Sequence, residues 1–308
     1  MLAHSWTLSA HLSDVIRPFH LWFWPLSTTF LWRMILARPL VKWSWCVLIL
    51  ESSMRYNCGG VKYEVNGLEE FIKHCVSQDW GEFFGTPEVQ EVVKELSHKL
   101  SSEAKKRSNP GIEPPMPLVF KAFNRVGPKQ ITVVIIGQDP TPQPGRATGL
   151  AFSVNDPKSV GSVLNVLLEV SLEGFSVNLN NGDLTSWTRQ GVFLLNAALT
   201  VNRGQAGSHS NWWSLFTQML VQYISDRGNP SVWLLWGQKA QYFQQFIDNA
   251  RHYVMTGGHP SPLGGIGRNE FFGKGYFQCA NEFLANKRGG RIDWSLAPRN
   301  VLEPCPPM

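Results

Sequence analysis

Four short apolar runs, each halting at a polar or glycine-marked end, recur through the second half of the chain. That recurrence limits the fold more than any other feature. Residues 131–136 lead to Gln138-Asp139, 192–195 to Asn196, 232–236 to Gly237, and 253–255 to Gly258-His259-Pro260. Stretches with helical periodicity lie between them, at 162–172 with Ser162 as a cap, at 211–225 and at 239–249. Strands alternating with helices predict an α/β fold. It has three layers, α/β/α, around a central, mostly parallel four-stranded sheet covered on both faces. In such sheets ligands sit beyond the carboxyl ends of the strands. Gln138, Asp139, Asn196 and His259 should therefore converge on one cleft.

Upstream, residues 66–79 and 87–107 have helical periodicity, and Pro110, Pro114, Pro115 and Pro117 mark a turn-rich entry into the helical-looking LVFKAFNRV. The first 53 residues differ in kind. Six tryptophans crowd into them, and Asp14 is their only acid before Glu51, against Arg17, Arg33, Arg38 and Lys42. An acid-poor, arginine-bearing start fits an organelle presequence. A membrane anchor fits less well, because cations interrupt every run before the roughly 20 residues a span needs. A third reading makes Met54 the natural start. The expected organisation is an N-terminal extension at 1–53, a catalytic domain at 54–298 and a tail at 299–308.

Composition then narrows the function. At 43% hydrophobic and 17% charged residues, the 308-residue chain can fill a core and does not read as disordered. A net charge of +5 suits a polyanionic partner without establishing one. The five cysteines form no CxxC pair and no metal-ligand spacing, and they read as reduced, intracellular thiols. There is no GxSxG elbow. GRNEFFGKG at 267–275 fails as a phosphate loop, since Gly275 stands where a magnesium-binding Ser or Thr belongs.

Each strand-end residue has a plain structural explanation: Asp139 as a turn residue, Asn196 likewise, Phe152 as core, His259 as part of a surface loop. Together they suggest chemistry. Asp139 can orient a water or stabilise a cation, and His259 can donate to a leaving oxyanion. Asn196 presents both a donor and an acceptor to a polar edge, and Phe152 offers a face to a planar ligand. With no nucleophile and no metal set in the pattern, this suits a bond that breaks to a cation on one side and an anion on the other.

The motifs behind those residues resemble family 1 uracil-DNA glycosylases. GQDPTPQPGRATGLAFSV (137–154) is similar to that family's water-activating loop, GQDPYHGPGQAHGLCFSV. GDLTSWTRQGVFLLNAALTV (182–201) resembles its uracil-reading strand, and QAGSH (205–209) its QANSH. HPSPL (259–263) matches its intercalation loop, and FLANKRGGRIDW (283–294) its closing segment. The resemblance spans about 66–296 with the motifs in order. It implies that Asp139 positions the water and stabilises the sugar cation, and that His259, neutral, hydrogen-bonds uracil O2. Asn196 would pair with O4 and N3–H, Phe152 would stack, and the Gln138 backbone would help at O2. Leu263 would wedge into the duplex as the base flips out, while Ser162, His209 and Ser261 would contact phosphates. It further implies a monomer acting on uracil-containing DNA, no cofactor, a nuclear or mitochondrial location, and a glycosylase-inhibitor protein or replication factors as possible partners.

The loop departs from the family where it faces the base. Thr141 replaces the tyrosine that stands against uracil C5 and excludes the thymine methyl; Pro142, Arg146 and Thr148 replace His, Gln and His. Two expectations follow. Either the C5 side is open, admitting thymine or a 5-substituted uracil, or Pro142 or Arg146 swings in to restore exclusion. A third reading, a glycosylase-like DNA-binding scaffold with little catalysis, draws on the same loop changes. Retention of Asp139, Asn196, Phe152, His259 and Leu263 together opposes it.

Overall fold

The computed structural model describes residues 54–58, 61–65, 67–155, 161–261 and 270–297. The N-terminal extension, the C-terminal tail and Leu263 lie outside these residues. At the start of the described chain, β1 (Met54–Cys58) and β2 (Val61–Val65) form an antiparallel pair. Helices α1 (Leu68–Cys75), α2 (Gly81–Phe84) and α3 (Pro87–Ala104) follow. The expected helix at 66–79 is divided, because the Ser77 side chain accepts from the Asp79 N–H and starts a separate 3-10 turn, Gln78–Trp80. The other expected helix stops at Ala104, leaving the basic run beyond it, where Lys106 pairs back to Glu103. In α3 the buried Val89, Val93, Leu96 and Leu100 fall three or four residues apart, a single apolar stripe.

The sheet carries the site. Its strands are β4 (Val133–Gly137), β5 (Val192–Asn196), β7 (Val232–Trp236) and β8 (Tyr253–Gly257), in the order β5-β4-β7-β8. Every pairing among them is parallel, so the sheet is wholly rather than mostly parallel. All five residues of β4, of β5 and of β7 are buried, as expected of strands covered on both faces. The outer edge of β5 is closed by the Ala151 N–H, which donates to the Leu194 carbonyl at 3.1 Å. A smaller antiparallel pair, β3 (Ile112–Glu113) and β6 (Val201–Asn202), lies beside the site loops.

Helices α4 (Lys121–Arg125) and α7 (Ser210–Arg227) join α3 on one face. There Trp80, Phe83, Phe123, Phe193 and Phe216 form an edge-to-face aromatic cluster. Trp80 donates its buried indole N–H to the Val126 carbonyl at 2.9 Å. On the other face lie α5 (Gly161–Leu172) and α9 (Tyr276–Arg288), with Trp236, Phe271 and Phe277 packed between them and β7. The short α6 (Thr185–Thr188) leads into β5. The helix expected at 239–249 is only the single turn α8 (Gln238–Gln241), which tightens into a 3-10 turn, Tyr242–Phe246. It ends because the Asp248 N–H donates to Ser225 Oγ and the Asp248 carboxylate caps the next turn.

Helix α5 is tied to α9 by two carboxylates. Glu169 accepts from the Gly273 and Lys274 N–H groups, and Glu173 from those of Phe277 and Gln278. Burial pushes the Glu173 carboxyl up from 4.5 to about 7, and the nearby Glu169 adds to this, against the backbone N–H groups of Gln278, Phe277 and Tyr276. The folded chain thus holds this proton more tightly than the unfolded chain does. The contribution to stability is complete below about pH 4.5 and is lost as pH rises through about 7. Thermal unfolding should accordingly shift to lower temperature from about pH 5 to about pH 8, and Glu173→Gln should flatten that slope. An unchanged slope in the variant would contradict this assignment.

Candidate active site

The register of the sheet brings the candidate residues to one edge. Gly137, the last residue of β4, pairs with Asn196, the last of β5, and Trp236 of β7 pairs with Gly257 of β8. Gln138 and Asp139 leave β4 directly beyond this line, and His259 leaves β8. The pairing continues past the strands: the Ala197 and Ala198 N–H groups donate to the Gly137 and Gln138 carbonyls at 2.8 and 3.0 Å. The turn out of β4 is thereby fixed on its β5 side.

Gly137 is a space requirement. A Cβ there would stand 2.6 Å from Asn196 Oδ1 and 3.5 Å from the Phe152 ring. Its absence lets the Asn196 amide and the Phe152 ring close around the strand end. Asn196 is only 6% exposed, yet among the described residues no protein group bonds its side-chain amide. A buried amide left open in this way is a ready reader of a polar edge. Phe152 is the one non-glycine described residue with positive φ, at 61°. For a bulky side chain this costs about 1–2 kcal/mol, which the surrounding packing must offset. The ring meets Trp236 edge-on at 5.4 Å and lies 6.3 Å from the His259 ring.

Asp139 is held by the chain that follows β6. Its Oδ2 accepts the Gly207 N–H at 2.5 Å. Gly207 has φ 78°, a left-handed conformation that glycine adopts without strain and that aims its N–H at the carboxylate. Burial raises the Asp139 pKa, and the Gly207 bond partly offsets this. His259 is shifted the other way: burial lowers its pKa, so the ring is neutral at physiological pH. Its Nδ1 lies 3.0 Å from the Ser261 N–H, which can only donate. Nδ1 is then the acceptor, and the ring proton sits on Nε2. Gly237 (φ 81°) confines the ring: a Cβ at that position would be 2.9 Å from His259 Cβ.

The structure therefore brings together Gln138, Asp139, Phe152, Asn196 and His259, with Thr141 just beyond in the loop. It does not bring His209 to the surface. That ring is 1% exposed, stacks on Trp212 at 4.2 Å, and its Nδ1 lies 2.9 Å from Thr200 Oγ1. Burial lowers its pKa to about 4, so it carries no charge at neutral pH. Ser162 is partly exposed and lies within the first turn of α5, which begins at Gly161, so it does not cap the helix as expected; Ser261 closes the histidine turn. Among the described residues no cluster of three His, Cys, Asp or Glu side chains could hold a metal ion.

Two residues outside the sequence expectations help build the site. One is Gly207, recognised only as part of QAGSH. The other is Glu113, a fully buried carboxylate whose Oε1 accepts from the Gly145 N–H at 3.2 Å and from Arg203 Nε at 2.9 Å. It ties the loop after Asp139 to the chain beyond β6. Nothing in the IEPP stretch marks it, because a two-residue strand carries no periodic pattern.

The fold and strand ends define an α/β protein in which an open amide, an aromatic ring, a carboxylate and an imidazole gather at one edge of a parallel sheet. Comparison with known proteins makes the class specific. The family described as the uracil DNA glycosylase superfamily matches residues 124–285. The chain is 39% identical over 222 residues to a uracil-DNA glycosylase of Actinobacillus pleuropneumoniae serotype 5b, covering 71% of this chain and 96% of the relative. It is 37% identical over 239 residues to one from Dictyostelium discoideum, covering 75% and 67%. A crystal structure of mimivirus uracil-DNA glycosylase superposes with a TM-score of 0.65 at 28% identity, over 75% of this chain and 90% of that one. A Y322L form of the mimivirus protein in complex with UGI gives 0.66 at 30% identity, over 75% and 92%. The chain belongs to the uracil-DNA glycosylase superfamily.

Gly137→Ala tests the space requirement. It is expected to cost about 1–3 kcal/mol of stability by overpacking. Gly81→Ala is the control. Gly81 has helical φ (−56°) and nothing within 4 Å of its added carbon. There the substitution should gain up to about 1 kcal/mol. Urea denaturation compares the two, and equal effects would refute the close approach at Gly137.

Proposed function

We propose that the chain hydrolyses the N-glycosidic bond of uracil in DNA, leaving an abasic site, and that its pocket also accepts a 5-substituted uracil. One observation carries the first part. Asn196 keeps a buried amide open at the same strand-end edge as a neutral His259 ring whose Nδ1 is already bonded. A uracil seated on Phe152 would meet the Asn196 amide with O4 and N3–H and the His259 Nε2–H with O2. Cytosine presents the opposite donors and acceptors on that edge and would leave buried groups unpaired.

The chemistry follows from charge. Breaking the bond leaves positive charge on the sugar and negative charge on the base. The fixed Asp139 carboxylate stabilises the first and orients a water toward the sugar carbon. The His259 donor stabilises the second, at the oxygen where charge accumulates. A neutral donor suffices, and no proton needs to leave His259. Because burial raises the Asp139 pKa, activity should weaken on the acid side at a pH above the ordinary aspartate range. DNA would be gripped through phosphates near Ser162 and Ser261, and the motif position of Leu263 assigns it the role of a wedge.

The C5 reading rests on how the loop is held. Thr141 stands between Pro140 and Pro142. The Pro142 carbonyl accepts from the Gly204 N–H at 2.9 Å, and the Gly145 N–H is fastened to Glu113. Asn155 Nδ2 holds the Gly145 carbonyl at 3.1 Å. A loop bonded on both sides does not readily swing Pro142 toward the base. With Pro142 held, threonine would leave room for a methyl where a tyrosine ring would exclude one, unless Arg146 fills it, and a group of that size is worth about 1–3 kcal/mol of discrimination.

Single-turnover excision by the full chain tests both parts, on matched oligonucleotides carrying uracil, thymine, 5-hydroxymethyluracil or cytosine. Uracil should be released and cytosine left intact. 5-Hydroxymethyluracil should be released within about 10–200-fold of the uracil rate. In Thr141→Tyr the ratio of uracil to 5-substituted release should rise by about 10-fold or more. Strong uracil release with the substituted bases untouched would remove the C5 reading. DNA bound with no base released would favour a scaffold.

A further inference from the structure

Asn165 sits in the first half of α5, 6% exposed, among the apolar residues Val163, Val166 and Leu167. An asparagine in a helix interior is unfavourable, since its amide competes with the backbone. Here the amide leaves the helix altogether. Its Nδ2 donates to the Pro260 carbonyl at 2.6 Å, joining two parts of the chain 95 residues apart. Pro260 is the middle residue of the turn that sets the His259 ring, because the bond from the Ser261 N–H to Nδ1 spans it. Helix α5 is a firm base for such a hold: Glu169 in it and Glu173 just past its end fasten it to the turn before α9 and to α9.

The two bonds act in series. Proline has no N–H and a nearly fixed φ, so its carbonyl is the handle by which the turn can be oriented. With that carbonyl held, the Ser261 N–H points at Nδ1 and the ring proton stays on Nε2. Gly237 and Phe152 lie near the ring but do not choose its tautomer. We propose that Asn165 is a positioning residue for the reaction: its amide holds the Pro260 carbonyl, so that the His259–Ser261 turn keeps Nδ1 bonded and presents Nε2–H toward the base. This rests on the reading of His259 as the donor to the departing base. Asn165 touches neither DNA nor the reacting atoms in this account and acts only through the histidine.

The test uses the full chain with 15N-labelled histidine, the His259 signals being assigned by their loss in His259→Gln. Wild type should show the neutral Nε2–H tautomer. Asn165→Ala removes the amide, and Asn165→Leu removes the donor while keeping the branched shape. Both should shift His259 toward mixed tautomers and lower the single-turnover rate by about 10-fold or more, as expected when a reacting group is slightly misplaced. DNA affinity should change much less, and thermal melting confirms that each variant is folded. A wild-type tautomer in both variants overturns the proposal. So does a defect in Asn165→Ala that Asn165→Leu repairs, since shape and not the bond would then matter. The reading of His259 fails separately, if His259→Gln excises uracil at the wild-type rate. In that case a tautomer shift in the Asn165 variants would still establish that Asn165 sets the ring.

Discussion

The parallel hydrogen-bonded register of β4 between β5 and β7 is the constraint on which the rest depends. It aligns Gly137 with Asn196 and so places the open amide beside the point where the chain turns toward Asp139. A slip of one residue would turn every side chain to the opposite face. Because both faces are covered, each side chain would be pressed into the wrong helical layer, and the site groups beyond the strand ends would move out of line. Full burial of β4, β5 and β7 makes such a slip costly. The sheet is thus both the core of the molecule and the jig for its chemistry.

Burial also divides the electrostatic work. Asp139 and His259 are both shifted by desolvation, in opposite directions, and each shift favours the neutral form. For His259 neutrality is useful, since a neutral Nε2–H donor is what the proposed chemistry needs. For Asp139 the same burial works against the charge that its proposed role requires, and the Gly207 N–H partly offsets it. One backbone donor from a left-handed glycine thus opposes the effect of burial on this carboxylate. Glu113 does a mechanical job nearby by fastening the loop at Gly145, and Asn165 does another behind His259.

Much of this was legible in the sequence, and what was not has physical reasons. Val232–Trp236 is read without error, because five consecutive apolar residues between turn signals leave little choice. The ends of the other strands are off by one or two residues, since pairing continues past the apolar run into Gly137, Asn196 and Gly257. The helix expected at 239–249 is overstated: periodicity sees the aromatic spacing, but not that Ser225, far off in sequence, takes the Asp248 N–H. Asp139, Asn196, Phe152 and His259 are legible jointly, through strand ends and motif order. The left-handed backbone of Phe152, the burial of His209 and the long-range bonds of Glu113 and Asn165 are not. They depend on which distant groups the fold brings within reach, and no local pattern encodes that.

The most direct measurement is made on Asp139→Asn, which keeps the shape and removes the charge. Single-turnover release of uracil from DNA is followed beside equilibrium binding of the same oligonucleotide by fluorescence anisotropy. A fixed carboxylate that stabilises the sugar cation predicts a fall of about 100-fold or more in rate with binding largely kept. A rate close to wild type would contradict that role. Equal absence of release from wild type and variant, with DNA still bound, would contradict the assignment of catalysis to this strand-end site.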